Sequence, residues 1–334
     1  MSDEKFNIVA IFGVGLIGSS IAHALKKYYD VKKIMAIDEN KQHLKIAKEI
    51  GFIDDILIED EDIRQGLGEA DLVVLATPIG SYKDIVSNFA NNLKPSSVLM
   101  DTGSTKQSVV NELKYLVPGD VHFIPAHPVA GTEHSGPHAG FPSLFQNRHV
   151  ILTPLLGTDS SYVEKIRAMW QQFGAYVEEM TPEHHDRVLA ITSHLPHLIA
   201  YGIVQTASRL EESMHKEQQT IQDSANPTPD NHHDTIIRKP EVIRYSAGGF
   251  RDFTRIAASD PVMWRDVFLN NREAVLEMLG RFQEDLFSLQ HLVRHGDGEA
   301  LFNWFENTRD IRRSIIDERQ AGQYIAEETS SQKK

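Results

Sequence analysis

Short apolar runs alternate with amphipathic stretches through the first half of the chain. Asn7 to Phe12, Lys33 to Ile37, Asp71 to Ala76, Ser97 to Asp101, His122 to Pro125 and His149 to Thr153 have the length and character of strands. Between them Leu16 to Tyr28, Gln42 to Ile50, Tyr82 to Asn91 and Lys106 to Leu116 have helical spacing. Strands that alternate with helices predict an α/β fold, a doubly wound parallel sheet covered on both faces. The run Leu72-Val73-Val74-Leu75-Ala76 is apolar throughout, as a strand buried on both sides must be. A further helix over Tyr162 to Phe173 and a strand over Ala175 to Met180 are expected to extend the same sheet.

After Thr181 the period changes. Val188, Ile191, Leu195, Leu198, Ile199 and Val204 fall at helical spacing, so Pro182 to Leu210 reads as one long helix with a kink at Pro196. A second long helix is predicted from Pro261 to His291, with Phe268, Val275, Leu276, Leu279, Phe282 and Leu286 on its apolar face. Two such helices are hard to bury within a small lone domain, so an all-α dimerisation domain packing against a second copy is expected. The polar, aperiodic stretch Glu211 to Lys239 is expected to be a flexible surface loop, and the end of the chain a frayed tail. The division that follows is 1–181 for the sheet domain, 182–316 for the helical domain with the 211–239 loop inside it, and 317–334 for a disordered tail.

Composition narrows the chemistry. The formal net charge of the 334 residues is -13, which disfavours nucleic acid and anionic membrane surfaces as partners. An anionic substrate would therefore need a local cationic pocket. There are no cysteines, which removes thiolate chemistry, disulfides and Cys-based zinc sites. No run of about 18 apolar residues and no basic-then-apolar leader is present, and a cytoplasmic location is the default expectation.

Gly13-Val14-Gly15-Leu16-Ile17-Gly18 follows the first strand and opens the first helix. Gly13 permits a tight turn, Gly15 lets the backbone approach a pyrophosphate, and Gly18 lets helix and strand pack closely. The helix N-terminus offers N–H groups and partial positive charge to the phosphates. Asp38 closes the second strand. A carboxylate there accepts hydrogen bonds from both ribose hydroxyls and repels a 2′-phosphate, so NAD is favoured over NADP.

Four further segments are dense in polar groups. Asp101-Thr102-Gly103-Ser104-Thr105-Lys106 ends a strand at the ligand-facing edge of the sheet, where Ser104 is either a site hydroxyl or a helix cap. His127, after another strand, suits proton acceptance from an alcohol during hydride transfer, or simply holds a loop. His122, His134, His138 and His149 lie nearby, but their spacing fits no standard zinc pattern, and no metal is expected. In Ser193-His194-Leu195-Pro196-His197, the residues His185, Ser193 and His197 are separated by multiples of four and so share one broad helix face. Finally, Gly248-Gly249-Phe250-Arg251-Asp252-Phe253-Thr254-Arg255 supplies Arg251 and Arg255, either for a substrate carboxylate or for surface ion pairs.

Together these segments resemble the prephenate/arogenate dehydrogenase family. The resemblance is carried by Gly13 to Gly18, Ala76-Thr77-Pro78, Asp101 to Ser104, His127-Pro128-Val129-Ala130-Gly131-Thr132-Glu133, Ser193 to His197, and Phe250 to Ala257 leading into Asp260-Pro261-Val262-Met263-Trp264-Arg265-Asp266. It implies a Rossmann domain and a helical dimerisation domain, with the active site between them. It also implies NAD-dependent oxidative decarboxylation of a cyclohexadienyl acid, on the route to tyrosine. In that light His127 takes the proton of the substrate 4-hydroxyl, Ser104 helps hold that hydroxyl, and Arg255 binds a carboxylate. Glu133 and Asp252 pair with Arg255. Ser193, His197 and His185 line the substrate side with Trp264 as a wall. Gly13, Gly15, Leu16, Ile17, Gly18, Asp38, Thr77 and Pro78 hold the cofactor.

The resemblance leaves prephenate and arogenate undivided. It implies neither a complete regulatory domain after Leu292 nor a mutase segment before residue 6. The 211–239 loop is longer than the family core requires. Two rivals differ in kind. A β-hydroxyacid dehydrogenase leans on a lysine in the long helix, where this chain has Ser193, His194 and His197. A regulator that senses NAD without chemistry has no use for His127 and Arg255 in one cleft.

Overall fold

Strand β1, Ile8–Phe12, is buried over its last four residues because neighbouring strands and covering helices enclose it on every side. It pairs in parallel with β2, Lys33–Ile37, on one flank and with β4, Leu72–Leu75, on the other. The computed structural model describes residues 5–132, 134–225 and 245–315. Within them β3 (Asp55–Ile56), β5 (Val98–Asp101) and β6 (His122–Phe123) complete a parallel sheet ordered β3-β2-β1-β4-β5-β6. The helices α1 (Leu16–Ala24), α2 (Lys41–Ile50), α3 (Asp60–Glu69), α4 (Tyr82–Phe89) and α5 (Gln107–Leu113) connect these strands. One apolar core lies on each face of the sheet. Burying each Val or Leu of β4 contributes about 1.5–3 kcal/mol, so the all-apolar run drives that strand to the centre. The order reverses between β1 and β4, which opens the ligand crevice beyond their carboxyl ends.

The expected extension of this sheet does not occur. Strand β7 (Ala126–Pro128) turns away after Pro125 and pairs antiparallel with β8 (His149–Leu152), which pairs in parallel with β9 (Tyr176–Glu179). These three form a separate sheet, with α6 (Ser160–Gln172) between β8 and β9. Trp170 and Phe173 at the end of α6 pack edge-on and stacked against Phe145 in the core.

The helical part begins at α7, Pro182–Leu189, where the Thr181 side chain accepts the His184 N–H and Pro182 takes the first turn. A π-helical turn, Ala190–His194, separates it from α8, Leu195–Ala225. The kink expected at Pro196 is this turn. Pro196 has no N–H to donate, and the Leu195 N–H bonds five residues back to the Ala190 carbonyl. The loop expected from Glu211 is corrected over its first part, because α8 continues to Ala225. The rest of it, residues 226 to 239, lies outside the described residues, as does the predicted tail at 317–334.

The helix predicted from Pro261 to His291 is broken. After α9 (Gly248–Thr254), α10 (Pro261–Asn270) ends at Asn271 and α11 (Arg272–His295) starts anew. Asn271 is buried and its side chain reaches out of the helix line to the Asp186 carbonyl and the His194 ring, at 2.7 and 3.0 Å. A last helix, α12 (Gly298–Ile315), had no counterpart in the sequence reading. The stretch Pro182–Met214 is long and apolar enough by composition to cross a membrane, but it carries the buried His185 and Asp186, a polar pair suited to a protein core.

A Cβ placed on Gly18 would sit 1.9 Å from the Gly13 carbonyl oxygen, whereas one on Gly15 would meet nothing within 4 Å. Gly18→Ala is therefore expected to lower the unfolding free energy by roughly 1–3 kcal/mol through backbone overpacking, read as a lower urea midpoint. Gly15→Ala leaves the midpoint near wild type and weakens dinucleotide binding, read by titration calorimetry.

Candidate active site

The turn after β1 is built for a phosphate group. Gly13 has φ of +89°, and a Cβ there would lie 2.7 Å from the Ala76 carbonyl oxygen, so only glycine fits between the β1 and β4 ends. Gly15 caps α1 without a side chain over the first N–H groups, and the space above it is open. Leu16 and Ile17 turn back onto the core beneath. Asp38, at the end of β2, accepts the Val14 N–H at 2.9 Å and the Asn40 N–H at 2.8 Å, and so braces the glycine turn. After β4, the Thr77 and Ser81 hydroxyls bond at 2.7 Å, and Ser81 also donates to the Pro78 carbonyl. A cradle with this shape and these free N–H groups fits a dinucleotide.

Beside it, β5 ends in Asp101, whose carboxylate holds the Gly103 N–H at 2.8 Å and makes an ion pair with Lys106. Both side chains of the pair are completely buried. Burial pushes the Asp101 carboxyl up and the Lys106 amine down, and each shift is opposed by the other's charge. The Lys106 amine also donates to the Ala126 carbonyl at 2.7 Å, which fixes the residue before His127. Ser104 sits half-buried in the turn between the two charges.

His127 lies in β7, 7% exposed. Its Nδ1 is 2.8 Å from Nε2 of His185, which is fully buried on α7. The Nδ1 of His185 is in turn 2.8 Å from a carboxylate oxygen of Asp186. Burial holds the His127 imidazole well below its ordinary value of 6.5, with repulsion from His185, Lys106 and His194 adding to it. His185 is lowered by burial too, against the pull of Asp186. His194, buried against Asn271, is lowered to about 4 by the same desolvation.

The helical part carries a cluster of aromatic rings. His197 stacks on Trp264 with ring centroids 3.6 Å apart, and its Nδ1 bonds the Ser193 carbonyl at 2.9 Å. Trp264 meets His194 edge-on at 6.0 Å. The Arg255 guanidinium is exposed and lowers the His197 pKa through its charge, after burial. His194 thus lies within electrostatic reach of His127, and His197 within reach of Arg255.

Several sequence expectations require correction at this level. His185 does not share a face with Ser193 and His197, because the π turn adds a residue. His194 replaces Ser193 on the buried side, and His185 stands behind His127 instead of lining the substrate. Asp252 is exposed and, among the described residues, makes no ion pair with Arg255. Glu133 lies outside the described residues. The residues missed as site members were Asp186, Lys106, Asp101 and Asn271. Adjacency to His185 and to Ser104 was the available signal for the first three.

A nucleotide-binding sheet closed by a helical region at its carboxyl edge, with a neutral buried imidazole at the seam, defines a two-domain dinucleotide-dependent dehydrogenase. Residues 21–179 match the prephenate dehydrogenase nucleotide-binding domain, and residues 181–226 and 230–307 match the prephenate dehydrogenase dimerization domain. The chain belongs to the prephenate dehydrogenase family. The cyclohexadienyl dehydrogenase of Zymomonas mobilis is 36% identical over 310 residues, 93% of this chain and 96% of that one. The prephenate dehydrogenase of Bacillus subtilis is 34% identical over 94% of this chain and 77% of its own length. The crystal structure of Aquifex aeolicus prephenate dehydrogenase with hydroxyphenyl propionate and NAD+ superposes with a TM-score of 0.80 at 31% identity, over 92% of this chain and 98% of that one.

Three imidazoles that stay neutral in the fold take up protons in the unfolded chain once pH drops through 6.5. The unfolded state then binds more protons, so stability falls as pH falls. Thermal unfolding followed from about pH 8 to about pH 5 is expected to show Tm level above pH 6.5 and declining below it.

Proposed function

We propose that the chain catalyses NAD-dependent oxidative decarboxylation of prephenate to 4-hydroxyphenylpyruvate. The observation that carries this reading is the neutral, buried His127 at the edge of a dinucleotide cradle, in a chain of this family. The A. aeolicus relative was crystallised with NAD+ and a hydroxyphenyl acid, a close likeness to the expected product. When bound, NAD supplies the hydride acceptor. His127 Nε2 accepts the proton of the substrate 4-hydroxyl as the C4–H bond breaks and its electron pair leaves with the hydride. The bond from C1 to the ring carboxylate then breaks, carbon dioxide departs, and its electron pair completes the aromatic ring. The ring oxygen recovers a proton from His127 as it becomes a phenol.

The other side chains position. Ser104 holds the hydroxyl in line with the nicotinamide end of the cradle. Arg255 binds a substrate carboxylate and supplies the local positive charge that a chain of net charge -13 otherwise lacks. Ser193 and His197 line the substrate, with Trp264 holding the His197 ring by stacking. Asp252, three residues before Arg255, governs substrate access. Asp38 meets the ribose, and Thr77 and Pro78 close over the cofactor.

The helical region pairs with a second copy. Ile203, Val204, Leu210 and Met214 on α8, and Leu276, Leu286 and Phe287 on α11, are exposed apolar side chains in the region that matches the dimerization domain. Arogenate is a second substrate candidate, favoured by the Zymomonas mobilis relative, a cyclohexadienyl dehydrogenase.

NADH formation with prephenate and with arogenate tests the reading, and kcat/KM on the two divides them. His127→Asn is expected to cut kcat by on the order of 10² to 10⁴ with NAD affinity retained. Arg255→Gln mainly raises the substrate KM, because a carboxylate contact exists before the transition state. NAD binding without turnover on either acid contradicts the proposal.

A further inference from the structure

Asp186 cannot donate a hydrogen bond to its neighbours. One of its oxygens accepts the Lys106 N–H at 2.8 Å, the other accepts the Gln107 N–H at 2.9 Å, and the first also lies 2.8 Å from His185 Nδ1. His185 must therefore carry its proton on Nδ1 and donate it. A neutral His185 then offers only a lone pair at Nε2, and this atom is 2.8 Å from His127 Nδ1. His127 in turn must donate from Nδ1. Its single proton is used there, and Nε2 is left as a bare acceptor with no hydrogen-bond partner among the described residues. The tautomer of the proposed base follows by elimination from one carboxylate two residues away.

We propose that His185 and Asp186, both from the helical part of the chain, are positioning residues that set His127 as the Nδ1–H tautomer with Nε2 free to take the substrate proton. The inference rests on the reading of His127 as the base. Neither residue touches substrate, since His185 is fully buried and Asp186 is 4% exposed. They act through the His127 ring alone. The reverse arrangement, with a proton on His185 Nε2, would turn His127 so that Nε2 carried the hydrogen and could accept nothing. It requires either a cationic His185 beside the Lys106 ammonium or loss of the bond to Asp186.

The same contacts tie the base to the packing of α7 against the sheet domain. His127 belongs to the sheet domain and His185 to the helix that follows it. Asp186 binds the first amides of α5, which starts just beyond Ser104. The base takes its productive tautomer only when α7 is seated on the sheet domain. The charged and titratable groups facing this chain of rings are Lys106 and Asp101 from the β5–α5 turn, His194 from the π turn, and Asp186 itself.

The test is steady-state kinetics of the full-length enzyme over pH, with prephenate and NAD. Asp186→Asn is expected to lower kcat by on the order of 10 to 10³ with substrate KM within about twofold. It also moves the acid limb of the kcat profile to lower pH, because the carboxylate no longer steadies a positive charge on the rings. His185→Gln, which keeps an acceptor for His127 and a donor for Asp186, retains activity within about tenfold of wild type, while His185→Leu loses on the order of 10² or more. If His185→Leu does not fold, as judged by circular dichroism, the His185→Gln and Asp186→Asn profiles decide. An unmoved acid limb in Asp186→Asn, or equal rates for His185→Gln and His185→Leu, overturns the positioning role. Full turnover of His127→Asn instead overturns the assignment of the base, a separate failure.

Discussion

One carboxylate joins the two halves of this molecule. Asp186 leaves the first helix of the helical region and accepts the amides of Lys106 and Gln107 in the sheet domain, so it fixes where the two parts meet. Through its other neighbour, His185, it reaches the His127 imidazole. Its main-chain carbonyl holds Asn271, the residue that breaks the second long helix and turns its side chain to His194. Charge-assisted hydrogen bonds of this sort are about twice as strong as neutral ones, and they are directional. The site's shape therefore follows from the seam between domains.

Charge inside the seam is balanced in pairs. Lys106 is completely buried against Asp101, and breaking such a pair by removing one partner typically costs about 3–5 kcal/mol. The contribution of Lys106 to function is geometric, because its amine also holds the carbonyl next to His127. Arg255 is an exposed cation within electrostatic reach of His197. Burial keeps the rings neutral, and the charge of Lys106 adds to the effect.

Much of the fold was legible along the chain. Five of the six expected strands of the first half lie in the central sheet, and the Gly13 to Gly18 turn has the conformation that its spacing implies. The second sheet was not legible, since β7 is three residues long and its partner β8 lies beyond a long connection. A period of two or 3.6 gives an element's type, not its partner. The face shared by His185, Ser193 and His197 was misread for a local reason. Pro196 lacks an N–H, the preceding turn widens to a π turn, and the count shifts by one residue. The polar stretch after Glu211 lacked a hydrophobic period, yet α8 continues through it to Ala225, because a helix nucleated upstream propagates at little cost. The Asn270-Asn271 pair was a helix-boundary signal that the long apolar period masked, and the buried bonds of Asn271 across 77 and 85 residues could not be seen in sequence.

Direct observation of the histidine tautomers tests the central claim most closely. In a long-range proton–nitrogen NMR spectrum of the full-length protein at about pH 8, where the rings are neutral, His127 and His185 are each expected to show a protonated Nδ1 and a bare Nε2. Replacing Asp186 by Asn should release His127 from that single form. A wild-type spectrum with the proton on His127 Nε2 would contradict the account, since the ring could then accept nothing from a substrate hydroxyl.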